Sequence, residues 1–301
     1  MARYGGFNSS ASRVLSKFAF NFALPAMLFR ILSSQPHDSN TADPKLLIAY
    51  FGTCFILFFL GRFFARKILN IQPVGSAIFG TGCVFSNNGL LGLPIALAML
   101  GQTVLPSVSM VLSFNAIFLW TLVSIVVEFS RHTGNLTVRS FGETLISVLK
   151  NPLIISIFLG VFASFINLQL PYIISEPLRL VGNSATSLSL LVVGMGLAQY
   201  GFGRGLKGGI CLSFIKLFIF PGLVFCLSRL IGLGETETLA ITFLASLPIG
   251  VNVYLMCCQF KAAEDIVANA MVISTAVSSL TVPLVVTLLH HAMPAIPVLI
   301  K

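Results

Sequence analysis

Long apolar stretches separated by short polar ones run the length of the chain, and two of them are interrupted near their centres. Apolar runs of about 20 residues are long enough to cross a ~30 Å hydrocarbon core. They predict nine membrane helices, over 14–34, 45–69, 75–101, 105–129, 144–167, 171–199, 207–231, 236–260 and 263–290. Connections are short and no Pro-rich or Ser-rich linker marks a soluble domain, so residues 1–301 are expected to form a single transmembrane domain. The fold class is all-α and polytopic.

The third span contains "CVFSNNGLLGLPIALAML", with Asn87 and Asn88 followed by Gly89, Gly92 and Pro94. The eighth contains "FLASLPIGVNVYLM", where Ser246, Pro248 and Gly250 interrupt an apolar run and Asn252 follows. Such residues are costly in hydrocarbon, because no water satisfies an unwound backbone there. The half-helices on either side are about 10–12 residues, or ~15–18 Å, long, which puts both breaks near the bilayer midplane. A shift of 161 positions lays Asn88 on Ile249 and the first four spans over the last four, leaving the fifth unpaired. Paired Gly/Pro-interrupted spans in two halves point to a transporter's binding site.

The segments "NFALPAMLF", "SNNGLLGLPI", "KLFIFPGLVF" and "LASLPIGVNVYL", in that order, resemble the auxin efflux carrier family. That family includes plant auxin carriers and bacterial permeases for malate-like acids. The resemblance covers nearly the whole chain. It implies an inverted-repeat secondary transporter fold of ten helices, with two broken helices crossing at mid-membrane, carboxylic-acid substrates and a homodimer formed through a scaffold. The repeats would be 14–129 and 144–290. The scaffold would comprise the first, fifth and sixth spans, and the remaining spans would carry the substrate. Nine helices here against ten in the family leads us to expect a further span ahead of Met1.

Composition supports the membrane assignment. The chain is 56% hydrophobic and 9% charged with mean hydropathy +0.96, against about 25% charged in soluble proteins. The net charge of +9 does not indicate nucleic acid, because the basic residues sit at helix ends rather than in one patch. With alternating loops, one side holds Arg3, Arg13, Lys17, Arg62, Arg66, Lys67, Arg131, Arg139, Lys150, Arg204, Lys207 and Lys261. The other holds only Lys45, Arg229 and Lys301. That bias places the first side in the cytoplasm. A multi-pass protein of the cell (inner) membrane is expected, with the N-terminus cytoplasmic and the C-terminus extracytoplasmic. The basic, acid-free start reads as a cytoplasmic lead-in, since no small-residue cleavage site follows the first apolar run.

The candidate chemistry is anion binding. Each second half-helix begins at the midplane with unpaired N–H groups and a positive dipole end. Two such ends converging form an anion site, to which Asn87, Asn88 and Asn252 would add amide donors. Gly89, Pro94, Pro248 and Gly250 are the crossover or hinge residues, and Ser246, Asn115 and Tyr254 are further lining candidates. The alternative is a pair of ordinary kinks, with Asn mediating helix packing. Lys216 lies about 5 Å from the centre of the seventh span. A mid-helix lysine costs roughly 2.5–3.5 kcal/mol, so it is read as a substrate-binding charge, against the alternative that it snorkels to the interface. Its counterpart under the shift is Phe55.

Other chemistries are not visible. The acidic residues fall in loops or toward helix ends, and Glu176 could pair with Arg179 three residues on. The six cysteines lie in apolar spans without CxxC spacing and read as reduced packing residues. "GRGLKG" follows a membrane helix rather than a strand, so it reads as a turn. The sequons at Asn8 and Asn135 fall on the cytoplasmic side, and the four histidines form no triad. No enzyme, cofactor or metal site is expected. The reading is a secondary transporter of small organic anions, driven by membrane potential, with proton coupling through Lys216 second. A sodium-coupled carrier of the bile-acid-symporter type and a membrane sensor of a small acid are the alternatives.

Overall fold

In a computed structural model of the chain, residues 14–15, 17–33, 44–131, 152–200 and 205–293 are described. The predicted sequons and the first part of the predicted fifth span, 144–151, lie outside them. The described residues are helical, with no strand beyond one isolated bridge.

The helices are α1 (Leu24–Ser33, continuing a π turn at Ala19–Ala23), α2 (Pro44–Lys67), α3 (Pro73–Val84) and α4 (Leu93–Leu100, entered through a π turn at Asn88–Gly92). Then come α5 (Leu105–Arg131), α6 (Pro152–Phe165) and α7 (Tyr172–Tyr200). The last four are α8 (Leu206–Leu230), α9 (Glu235–Ser246), α10 (Val251–Phe260) and α11 (Glu264–Ala292). Each of the nine predicted spans coincides with helix, the third as α3 with α4 and the eighth as α9 with α10. Helices α2, α8 and α11 are each long and apolar enough to cross a membrane unbroken.

Local chemistry explains the ends. Proline opens α2 and α3, where its missing N–H would have no helical partner. Arg66 and Lys67 close α2 at its negative end, and Glu235 with Glu237 open α9 at its positive end. Of the predicted "GRGLKG" turn, Gly203 and Arg204 lie outside the described residues, Gly205 caps α8 in the left-handed region at φ 71°, and Leu206 to Gly208 already belong to the helix. Inside α8 a π turn at Ile215–Ile219 surrounds Lys216, a feature that apolar periodicity does not reveal.

Burial separates the roles of the elements. Residues Gly75 to Val84 of α3 and Thr238 to Ser246 of α9 are all buried, the pattern of helices enclosed on every side. By contrast α2 exposes Phe55, Ile56, Leu60 and Phe63. Around the two broken helices, α2 packs on α3 and α8, α5 on α3, and α11 on α8 and α9. A second group forms where α1 packs on α6 and α7. It meets the first mainly through α7 against α10 and α11.

Candidate functional site

The two breaks cross. Phe85, Leu247 and Gly250 have extended dihedrals where helix would otherwise continue. The Gly250 N–H donates to the Phe85 carbonyl at 2.9 Å, and the Asn87 N–H donates to the Pro248 carbonyl at 2.9 Å. Ser86 and Ile249 thereby form an antiparallel bridge. The Ile249 N–H reaches the Ser274 hydroxyl of α11 at 3.3 Å. Unwound backbone in hydrocarbon must find such partners within the protein, and each break supplies them to the other. Proline suits position 248 because that residue lends only a carbonyl. Glycine suits position 250 because a Cβ there would stand 3.0 Å from the Phe85 ring and 3.1 Å from the Ser86 carbonyl oxygen.

Lys216 is at this crossing. Its side chain is wholly buried, so it does not snorkel. The ammonium donates to the carbonyls of Ala245 and Leu247, both at 2.6 Å, and lies 4.9 Å from the centre of the Phe220 ring. The carbonyls belong to the open C-terminal end of α9, the negative end of that half-helix. Among the described residues no carboxylate is its hydrogen-bond partner. A lysine has three donors, so one N–H remains beyond the two carbonyl bonds.

The Asn88 side-chain amide donates to the Tyr50 hydroxyl at 3.2 Å, while its Oδ1 is buried without a partner. Tyr50 is buried on α2 and packs edge-on against Phe220, 5.7 Å between ring centres. One aromatic ring thus links the surroundings of Asn88 and Lys216. An amide can present either end to a hydroxyl. Rotating Asn88 by half a turn would let Tyr50 donate and would free Nδ2 for a substrate oxygen.

The remaining candidates spread outward. Asn87 lends its backbone to the crossing and is half-buried; Asn252 is half-buried in the first turn of α10. The Ser246 hydroxyl is engaged with the Phe243 carbonyl at 2.7 Å, inside its own helix. Asn115 is buried on α5 with Oδ1 unpartnered, and Tyr254 is buried on α10. Gly89 lies in the π turn before α4, and Pro94 in the first turn of α4. No side chain caps the start of α10. Glu176 and Arg179 do pair, at 2.5 and 2.8 Å, away from this centre on α7.

Sequence reasoning missed Tyr50, Ser86 and Ser274. The signal for Tyr50 was a phenol in the first third of an apolar span, which needs a partner when buried. Ser274 left no comparable signal, because α11 holds several serines and only the crossing selects this one. Together the arrangement sets neutral amides and a buried lysine amine beside the starts of two half-helices, which suits holding an anion. Among the described residues no cluster of His, Cys, Asp or Glu could hold a metal ion.

Comparison with known proteins identifies the family. Residues 1–286 match the family described as "Membrane transport protein". The chain is 22% identical to the uncharacterized transporter MJ1031 of Methanocaldococcus jannaschii, over 93% of this chain and 91% of that protein. It is 26% identical to a Rhizobium meliloti protein whose provisional name is malonate transporter, over 93% of this chain and 88% of the other. It is also 26% identical to the lysosomal cholesterol signaling protein of Mus musculus, over 90% of this chain but 33% of that longer protein. A helical chain whose two interrupted membrane helices cross at a buried centre, and which matches over nearly its whole length, belongs to the auxin-efflux-carrier-like family of membrane transport proteins.

Proposed function

We propose that this membrane transporter is a secondary carrier of small organic anions such as carboxylic acids, with the substrate held at the crossing of the two breaks. The observation that carries the reading is the mutual backbone pairing of Phe85–Asn87 with Pro248–Gly250. It supports a site at one buried point, because the two half-helices start near it and Lys216 lies beside it. Helix N-termini favour anions through free N–H groups and the dipole. Asn87, Asn88 and Asn252 supply amides, with Asn115, Ser246 and Tyr254 as further lining residues. Lys216 contributes its field, and its third donor after a modest shift. The provisional name of the Rhizobium relative makes a dicarboxylate the first substrate to test.

The element bounds support an inverted repeat. Adding 161 to Pro44–Lys67 gives 205–228, beside Leu206–Leu230. The same shift takes Pro73–Val84 to 234–245, beside Glu235–Ser246, and Leu105–Arg131 to 266–292, beside Glu264–Ala292. The antiparallel sense of the Ser86–Ile249 bridge is what two inverted halves would produce. In this reading α1, α6 and α7 form the scaffold and carry the homodimer contact, while the other helices move the substrate. The protein sits in the cell membrane with its N-terminus cytoplasmic.

The test is flux of labelled malonate and a panel of other organic acids into proteoliposomes, under imposed potential, pH and sodium gradients. Potential-driven flux of one or more acids is expected. Sodium-dependent flux would favour the bile-acid-symporter-like mechanism, and saturable binding without flux would favour a sensor. A pH-gradient requirement would bring in proton coupling, for which Lys216, buried and with no carboxylate partner among the described residues, is the favouring observation. Absence of both binding and flux for every acid in the panel would sink the reading.

A further inference from the structure

A groove of about 380 Å³ lies between α8, α9 and α11, apart from the crossing. Its rim includes Phe218, Leu284 and Leu288, exposed by 48%, 54% and 60%. These residues lie on α8 and α11, two of the helices long and apolar enough to span a membrane, and exposed apolar side chains on such helices suit contact with lipid. Among the described residues none that lines the groove is charged. Thr242 and Thr281 line it, both more than nine-tenths buried, and neither hydroxyl has a hydrogen-bond partner. A buried hydroxyl left unbonded is costly, and two in one groove require an explanation.

Gly222 adds an independent observation. It also lines the groove, inside α8, and a Cβ there would meet nothing within 4 Å. Neither a left-handed backbone nor a close helix contact calls for glycine, which is unfavourable inside a helix. The corresponding region of the first half is filled. Under the 161-residue shift Gly222 falls on Gly61, Thr242 on Thr81 and Thr281 on Trp120. A Cβ at Gly61 would stand 2.7 Å from the Cys83 sulfur. The Thr81 hydroxyl donates to the Ala77 carbonyl at 2.9 Å, and Trp120 is buried against Phe85. The second half therefore keeps open a space that the first closes with an indole. The groove and its hydroxyls stand without that register.

We propose that this groove binds a neutral, lipid-soluble molecule bearing a hydroxyl group, which enters sideways from the bilayer. The ligand hydroxyl pairs with Thr242 or Thr281 when that threonine turns its buried hydroxyl into the groove, since an O–H both donates and accepts. Its apolar body lies along Phe218, Leu284 and Leu288, and its nearest approach to α8 is over Gly222. A charged ligand is excluded by the uncharged lining. A plain hydrocarbon chain would leave both threonines unbonded. From Thr281 to Ala292 the groove follows α11 for about 16 Å, so a medium-length alcohol matches it.

The test uses the whole protein in lipid nanodiscs with a diazirine-bearing dodecanol, light activation and peptide mapping by mass spectrometry. Labelling is expected on the α8 and α11 peptides around Gly222 and Thr281, displaced by dodecanol and not by dodecane. Thr281→Val keeps the shape and removes one hydroxyl. It should weaken displacement about 3- to 10-fold, the effect of losing one neutral hydrogen bond. Gly222→Leu should abolish the labelling, because the side chain occupies free space, and should melt at or above the parent's temperature, because leucine is a better helix former than glycine. Equal displacement by dodecane, or unaltered affinity in Thr281→Val and Thr242→Val, would show a site for plain acyl chains and overturn the proposal. Labelling that persists in a stably folded Gly222→Leu protein would place the alcohol elsewhere and overturn it equally. Malonate flux plays no part in these readouts, so failure here is distinct from failure of the carrier reading.

Discussion

The ammonium of Lys216 stands 2.6 Å from the carbonyl of Leu247, with none of the lysine side chain exposed. The partner is the first residue past the end of α9, where helical carbonyls lose their N–H donors. A second bond, to Ala245, satisfies another of these carbonyls. The lysine therefore closes the C-terminal end of one half-helix while bringing positive charge to the crossing. Phe55, its counterpart under the shift, is 48% exposed and does neither, so the two halves meet at an asymmetric centre.

Replacing Lys216 should separate these two effects. Lys216→Met keeps the length and removes every donor, leaving two buried carbonyls unsatisfied at about 1–3 kcal/mol each. The purified variant should melt several degrees below the parent and lose anion flux. Lys216→Gln retains an N–H₂ and should recover part of the stability without the charge. If flux follows the charge, Lys216→Gln will be stable and nearly inactive. A Lys216→Met protein that melts and transports like the parent would remove Lys216 from both roles.

Two glycines offer a matched comparison. Gly250→Ala brings a methyl to 3.0 Å from the Phe85 ring and 3.1 Å from a carbonyl oxygen of the opposite break. Crowding of this kind typically costs about 1–3 kcal/mol, and here it acts directly on the crossing. Gly222→Ala meets nothing within 4 Å and gains helix propensity of up to about 1 kcal/mol. Thermal unfolding in detergent should therefore show Gly250→Ala destabilised and Gly222→Ala equal to or above the parent. The reverse order would mean that the two breaks are not held at this separation.

The spans and both breaks were legible in the sequence, because hydrocarbon allows few alternatives to unbroken apolar helix. A run such as "SNNGLLGLP" departs from that rule in several residues at once. The depth of Lys216 was legible for the same reason, but its partners were not. They are backbone carbonyls, freed only because α9 ends at Ser246, and a carbonyl leaves no mark in a sequence. Tyr50 illustrates another limit: its contact with Asn88 joins positions 38 residues apart, through packing that periodicity does not encode. The π turn around Lys216 was also hidden, since widening one helical turn leaves no mark of its own in "SFIKLFIFPG".

The uneven distribution of basic residues yields an orientation prediction. Twelve basic residues, from Arg3 to Lys261, fall on one side of the predicted topology, against Lys45, Arg229 and Lys301 on the other. A phosphatase or fluorescent reporter fused after Lys301 should report an extracytoplasmic site. One inserted beside Arg204 should report the cytoplasm. Both reporters on the same side would remove the nine-span arrangement, and a clean exchange of sides would show that charge bias does not orient this chain.

Tyr50 and Asn88 provide the sharpest test of the site, because one hydrogen bond between them leaves a buried amide oxygen free. If Asn88 turns its N–H₂ to a substrate carboxylate, the Tyr50 hydroxyl must then donate to Oδ1 and hold the amide in that orientation. Asn88→Leu removes the contact with substrate and should cost on the order of 1 kcal/mol, or roughly fivefold in affinity. Tyr50→Phe keeps the ring against Phe220 and removes only the hydroxyl, so its effect should be equal or smaller. When Tyr50 acts solely through Asn88, the double variant binds no more weakly than Asn88→Leu alone. The coupling in the cycle then approaches the whole effect of Tyr50→Phe. Binding measured by titration calorimetry, alongside flux, gives all four corners. Fully additive losses would mean that Tyr50 and Asn88 meet the substrate separately. No loss of binding in either single variant would move the anion away from Asn88, leaving the helix ends and Lys216 to hold it.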